Sequence, residues 1–153
     1  MSLLPKHVQS GQKLGLEIGP RGECSINLII LNEGENLSEE VKFLIDTGFN
    51  GHLQLNESIV SRLNLKVINK NTTTGFDGEI KEVGIVKTKI KLLDQEIWNF
   101  PIQVTNKGLC LIGTNLLKDL GKMIIVDFKN GIITLTDDKK VQKKVHKAVN
   151  KYA

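Results

Sequence analysis

The chain is short of aromatic residues, proline and cysteine. It has five Phe, one Trp, one Tyr and three Pro in 153 residues. The low aromatic content still allows one modest core. Its two cysteines, Cys24 and Cys110, stand far apart and form neither a CxxC pair nor a metal-ligand spacing. Cys110 sits in an apolar run, where a thiol is a small hydrophobe. Three histidines, His7, His52 and His146, share no metal-ligand spacing either, so no metal and no cofactor is expected. There is no GxSxG elbow and no P-loop, which removes the common serine-hydrolase and nucleotide-binding signatures. No apolar run is long enough to cross a bilayer. The opening Met1 to Lys6 lacks a basic segment followed by an apolar one. A cytoplasmic protein without a membrane partner is expected.

What remains suits one domain with one modest core, at 40% hydrophobic residues. The net charge of +4 is unevenly placed. Lys139, Lys140, Lys143, Lys144, Lys147 and Lys151 carry it with no acid among them, and the remainder is close to neutral. Three parts are expected: a loose lead-in over 1–20, a domain over 21–137, and a basic tail over 138–153. Val141, Val145, Ala148 and Tyr152 fall at helical spacing in that tail, which predicts an amphipathic helix.

Between the ends the pattern is of short strands. Ser25 to Leu31 and Val41 to Ile45 read as a hairpin about the polar turn Asn32 to Asn36. His52 to Leu55 is a short strand, and Asn56 caps a helix of about two turns. Leu65 to Thr72 is extended, leading to a turn with an Asp77-Gly78 pair. Val86, Thr88, Ile90 and Leu92 alternate with Lys87, Lys89 and Lys91, so one face is buried and the lysine face solvated. Asp94-Gln95 turns the chain into a return strand with Trp98, Phe100, Ile102 and Val104 on one side, and Pro101 implies an open side there. Leu109 to Ile112 reads as a strand buried on both faces. Thr114 then caps a short helix closed by Gly121. A last hairpin turns at Lys129-Asn130-Gly131. Without a βαβ rhythm, a closed, mostly antiparallel β domain is expected, with one or two short helices.

The chemistry-bearing segment is Phe43-Leu44-Ile45-Asp46-Thr47-Gly48. Three large apolar residues run straight into an acid, and burying a carboxylate is costly. Gly48 lets the backbone turn sharply. Alone, Asp-Thr-Gly arises by chance in roughly a few per cent of chains this long. A second segment, Leu111-Ile112-Gly113, is again an apolar pair ending in glycine, and a short helix follows it. A candidate hairpin at Gly75, Phe76, Asp77 and Gly78 lies between them.

This order resembles the retropepsin-like aspartic proteases over roughly residues 25–136, and the run Asp46 to Gly51 looks closer to cellular members than to viral ones. The resemblance implies an antiparallel β-barrel of acid-protease type. It implies Asp46 as the catalytic acid–base group, with Thr47 and Gly48 completing the active-site loop. Gly75, Phe76, Asp77 and Gly78 would form a mobile flap, and Ile112 and Gly113 would prop the loop from behind. The chemistry needs two carboxylates sharing one proton, because two such close charges cannot both ionise readily. Only one Asp-Thr-Gly is present, and Asp127 lacks the following Thr-Gly. The second acid must come from a second copy across a two-fold axis. The partners implied are thus a homodimer mate and an extended peptide substrate. Where relatives place Ala, Ser or Thr after the glycine, this chain has Phe49, which offers no hydroxyl to the carboxylate. A pH optimum less acidic than pepsin's is expected. The alternative is a non-catalytic dimerisation or peptide-binding module. A nucleic-acid binder is disfavoured, since no aromatics interleave the lysines.

Overall fold

The computed structural model describes residues 7–9, 15–75, 77–92, 96–106, 108–119, 121–136 and 138–152. In chain order the elements are β1 (His7–Gln9), β2 (Glu17–Ile18), β3 (Cys24–Leu31), β4 (Ser38–Ile45), β5 (Leu53–Asn56), α1 (Glu57–Arg62), β6 (Val67–Thr74), β7 (Ile80–Leu92), β8 (Glu96–Thr105), β9 (Leu111–Ile112), α2 (Thr114–Asp119), β10 (Met123–Asp127), β11 (Ile132–Thr136) and α3 (Lys139–Tyr152).

The main sheet has the order β2-β3-β4-β9-β5-β8-β7-β6, and β7 also pairs back with β3. The pairings therefore return on themselves and form a ring. Alternation along each strand fills its inside: Ile26, Leu28 and Ile30 of β3, Phe43 of β4, Val86 and Ile90 of β7, and Ile102 of β8 are all buried. Thr88 shares that inner face. Its hydroxyl donates to the Leu31 carbonyl at 2.5 Å, so the buried polar group is satisfied where β7 meets β3. On the outer face Lys87 and Lys89 pair with Glu33 and Glu35 of the β3–β4 turn. At Pro101 the flank of β8 towards β5 is open, because β5 reaches only Gln103 to Thr105.

Three expectations are corrected. The sheet is not wholly antiparallel: β9 runs parallel to β4, and β5 parallel to β8. The chain enters the gap between β4 and β5 only after a long excursion, so β9 is parallel to one neighbour and antiparallel to the other. The apolar run 109–112 is not a strand buried throughout. Only Leu111 and Ile112 form β9, and Leu109 is 64% exposed. The stretch read as a loose lead-in supplies β1, which pairs with β11, β2, which pairs with β3, and the core residue Leu16. Those pairings are with distant segments and leave no periodic trace in so short a stretch.

A smaller sheet, β1-β11-β10, lies beside the ring. Leu16, Ile45, Ile112, Leu116, Ile124 and Leu135 enclose a void of only about 10 Å³ at the junction, so the two parts share one core. Helix α1 is capped by Asn56, whose side chain accepts from the Ser58 amide at 2.9 Å. Helix α2 ends at Gly121, which takes φ of 62° and donates to the Lys118 carbonyl. The tail is helical over Lys139–Tyr152. The expected turn at Asp94-Gln95 lies outside the described residues.

Candidate active site

The loop from Asp46 to His52 leaves β4 and returns as β5, with β9 lying between the two strands. The Asp46 amide donates to the Ile112 carbonyl at 2.9 Å, extending the β4–β9 ladder by one residue. The loop then turns. The Asp46 carbonyl accepts from the Phe49 amide at 3.1 Å, and the carboxylate Oδ1 accepts from the Gly48 amide at 2.9 Å. This Asx-type turn holds the side chain in one place. Asp46 is half-buried, while Thr47 and Gly48 are exposed. A carboxylate at the end of a buried strand thus reaches a surface apex.

The apex is clasped from behind. The Thr114 amide donates to the Phe49 carbonyl at 3.0 Å, and the Gly113 amide donates to the His52 carbonyl at 2.9 Å. A Cβ on Gly113 would lie 2.0 Å from the Gly51 carbonyl oxygen and 2.5 Å from that of Phe49. Only glycine lets the two segments come this close. The Phe49 ring folds over Gly51, where a Cβ would lie 2.5 Å from the ring. The structure thus brings Asp46, Thr47 and Gly48 together with Ile112 and Gly113.

The hairpin expected as a flap is formed by β6 and β7, with Thr74 opposite Ile80. Gly75 bonds to Glu79 and Gly78 to Gly75 within the turn, and Gly78 takes φ of 76°. Asp77 accepts from the Glu79 amide, a bond that holds its carboxyl below the usual carboxylate range. Phe76 lies outside the described residues. The described hydrogen bonds of Gly75, Asp77 and Gly78 are local to this hairpin and do not join it to the Asp46 loop.

Asp127 is committed elsewhere. It accepts from the amide and side chain of Asn130 in the β10–β11 turn, and those bonds lower its pKa. Burial raises the pKa of the Cys110 thiol, and Cys110 packs as a half-buried residue against the core. Among the described residues, no three His, Cys, Asp or Glu side chains converge to hold a metal ion.

Sequence reading missed a link at the loop's exit. His52 Nε2 lies 2.5 Å from Asp119 Oδ2 of α2, and the His52 ring stacks on Phe100 with centroids 5.4 Å apart. No local pattern joins these three residues. A groove of about 550 Å³ runs beside the strand that ends at Asp46, lined by Leu44, Leu109 and Cys110 against Ile18, Pro20 and Glu23.

No protein-family model matches the sequence, and no curated protein matches it. The fold does have solved counterparts. A retropepsin-like aspartic protease from Rickettsia conorii superposes with a TM-score of 0.54 at 14% identity, over 84% of this chain and 89% of that one. The EIAV protease in complex with the inhibitor HBY-793 superposes with a TM-score of 0.54 at 18% identity, over 71% of this chain and 97% of that one. The fold is retropepsin-like and mostly β.

Proposed function

We propose that this chain is one half of a cytoplasmic aspartic endopeptidase, a homodimer in which each copy supplies Asp46. One observation carries the reading. The half-buried Asp46 carboxylate stands beside an exposed Thr47-Gly48 apex, on a loop clasped by the Ile112 carbonyl and by a Gly113 with no room for a side chain. Such an apex can meet its own copy across a two-fold axis. The two solved structures named above are proteases, one of them holding an inhibitor.

In the dimer the two Asp46 carboxyls share a proton. The ionised one takes a proton from water, and the protonated one donates to the scissile carbonyl. Thr47 hydrogen-bonds across the axis and locks the loops, while Gly48 presents backbone groups at the carboxylate. An extended peptide lies in the cleft as an added strand, under the flap of Gly75, Phe76, Asp77 and Gly78. The described acceptor bond of the Asp46 side chain comes from the Gly48 amide, and Phe49 adds none. Because two facing carboxyls that share one proton cannot both ionise readily, the pH optimum lies above the unperturbed aspartate value of about 4.

The test is cleavage of an unstructured protein mixture from about pH 4 to about 7.5, a range bracketing a shifted dyad. Wild type is compared with Asp46→Asn at high protein concentration. Proteolysis that disappears in the variant supports the reading. Wild-type protein that is dimeric and inert favours the non-catalytic module.

A further inference from the structure

Helix α3 is N-capped by Asp138, whose Oδ1 accepts from the Lys140 amide at 2.8 Å and the Val141 amide at 3.4 Å, but beyond its first turns the domain provides little. It is 14 residues long, a length at which an unpacked helix is marginal in water. Val141 and Val145 are half-buried, and Gln142 Nε2 reaches the carbonyls of Gly121 and Thr136 at 3.4 Å each. From His146 to Lys151 every residue is exposed.

Its charges work against it. Lys139 and Lys143, Lys140 and Lys144, Lys143 and Lys147, and Lys147 and Lys151 are like-charged pairs four residues apart. Lys139 and Lys140 also oppose the positive end of the helix dipole. Among the described residues, Lys139, Lys140, Lys143, Lys144 and Lys147 make no ion pair with a carboxylate of the domain. On a helical projection the lysines fill an arc of roughly 140°. Val141, Val145, Ala148 and Val149 fill an opposite arc of roughly 100°. Val149 is 60% exposed.

An anionic partner would relieve the repulsion and cover Ala148 and Val149, the part of the apolar arc that the domain leaves exposed. We infer that α3 docks the protein onto the surface of an anionic lipid bilayer, lying in the interface rather than crossing it. A cationic face beside an apolar stripe, on a segment of low overall hydrophobicity, is the pattern of an interfacial helix. A duplex or single-stranded nucleic acid fits less well. The helix has no arginine for bidentate phosphate contacts, and valines add nothing on a phosphate backbone. The expectation of no membrane partner rested on the lack of a spanning run, and no described helix is long and apolar enough to cross a membrane. A peripheral contact needs no such run.

The experiment is vesicle co-sedimentation of the full chain, read independently of any proteolysis. Vesicles of phosphatidylcholine alone are compared with vesicles containing about one quarter phosphatidylserine. Binding to the anionic vesicles should be at least about tenfold tighter and should weaken in about 0.5 M salt. The double variant Lys140→Glu, Lys147→Glu should lose at least about tenfold, although its new Glu–Lys pairs favour the helix. Val149→Gln keeps the charge and should weaken lipid binding by roughly threefold. Absence of vesicle binding overturns the inference, as does equal binding to neutral vesicles. Tighter binding to duplex DNA that ignores Val149→Gln overturns it in favour of a nucleic-acid contact.

Discussion

His52 Nε2 lies 2.5 Å from Asp119 Oδ2, across 67 positions of sequence. The pair ties the exit of the Asp46 loop to the last turn of α2. The Gly113 amide bonds to the carbonyl of the same histidine, so His52 holds the clasp by backbone and side chain together. Removing the ring in His52→Ala should cost about 1–2 kcal/mol, since it forfeits the hydrogen bond and the stack on Phe100. Asp119→Asn keeps an acceptor and should cost less. Urea midpoints measure both. Equal losses would show that the stack contributes nothing.

Among the described glycines, Gly113→Ala should be the most damaging substitution. Its Cβ would meet two carbonyl oxygens of the loop, and backbone cannot swing aside as a side chain can. A loss of about 3 kcal/mol or more, or failure to fold, is expected. Gly121→Ala is the control. It sits at φ of 62° with no atom within 4 Å, so only backbone strain of about 1 kcal/mol applies. Similar midpoints for the two variants would contradict the close approach of β9 to the loop.

Acid should remove a defined part of the stability. Arg62 makes two hydrogen bonds to Glu39, at 2.7 and 3.1 Å, and holds its pKa below 4.5. A depressed carboxylate pKa stabilises the fold above the unfolded value, and the gain is lost as pH falls through the folded value. Lys42 does the same for Glu17. Both pairs are largely solvent-exposed and screened, so each contributes only a small part of the stability. Arg62→Ala should therefore be less stable than wild type at pH 7, and the two should converge at pH values well below 4.5. A gap that persists in strong acid would mean the arginine acts through packing.

The proposed dyad also makes a prediction about assembly. Two Asp46 carboxylates facing each other repel once both are ionised. Asp46→Asn should therefore tighten the dimer at neutral pH, and raising the pH should loosen the wild-type dimer but not the variant. Sedimentation velocity across pH reads both effects. A wild-type dimer indifferent to pH would argue against a shared proton.

The loop motif was legible because its signal is local: apolar residues running into Asp46, Thr47 and Gly48, and again into Gly113. The central hairpins were legible for the same reason, since period-two alternation along β7 shows directly which face is buried. What escaped was non-local. Leu16 and the strands β1 and β2 acquire their places only by pairing with β11 and β3. The His52–Asp119 link joins two elements whose neighbourhood is set by β9, and neither residue stands in a pattern. Leu109 belongs to an apolar run yet is exposed, because the gap between β4 and β5 admits only two residues of β9.

The position of β9 also sets a timetable. The loop around Asp46 cannot reach its clasped form until Ile112 and Gly113 exist to close it. At ordinary synthesis rates those residues follow Asp46 by roughly 3 to 13 s. During that interval the nascent chain carries the acid but not the support that shapes the loop around it. Any fragment that ends before Gly113 stays in that state permanently, so premature termination yields a chain whose Asp46 loop is never clasped.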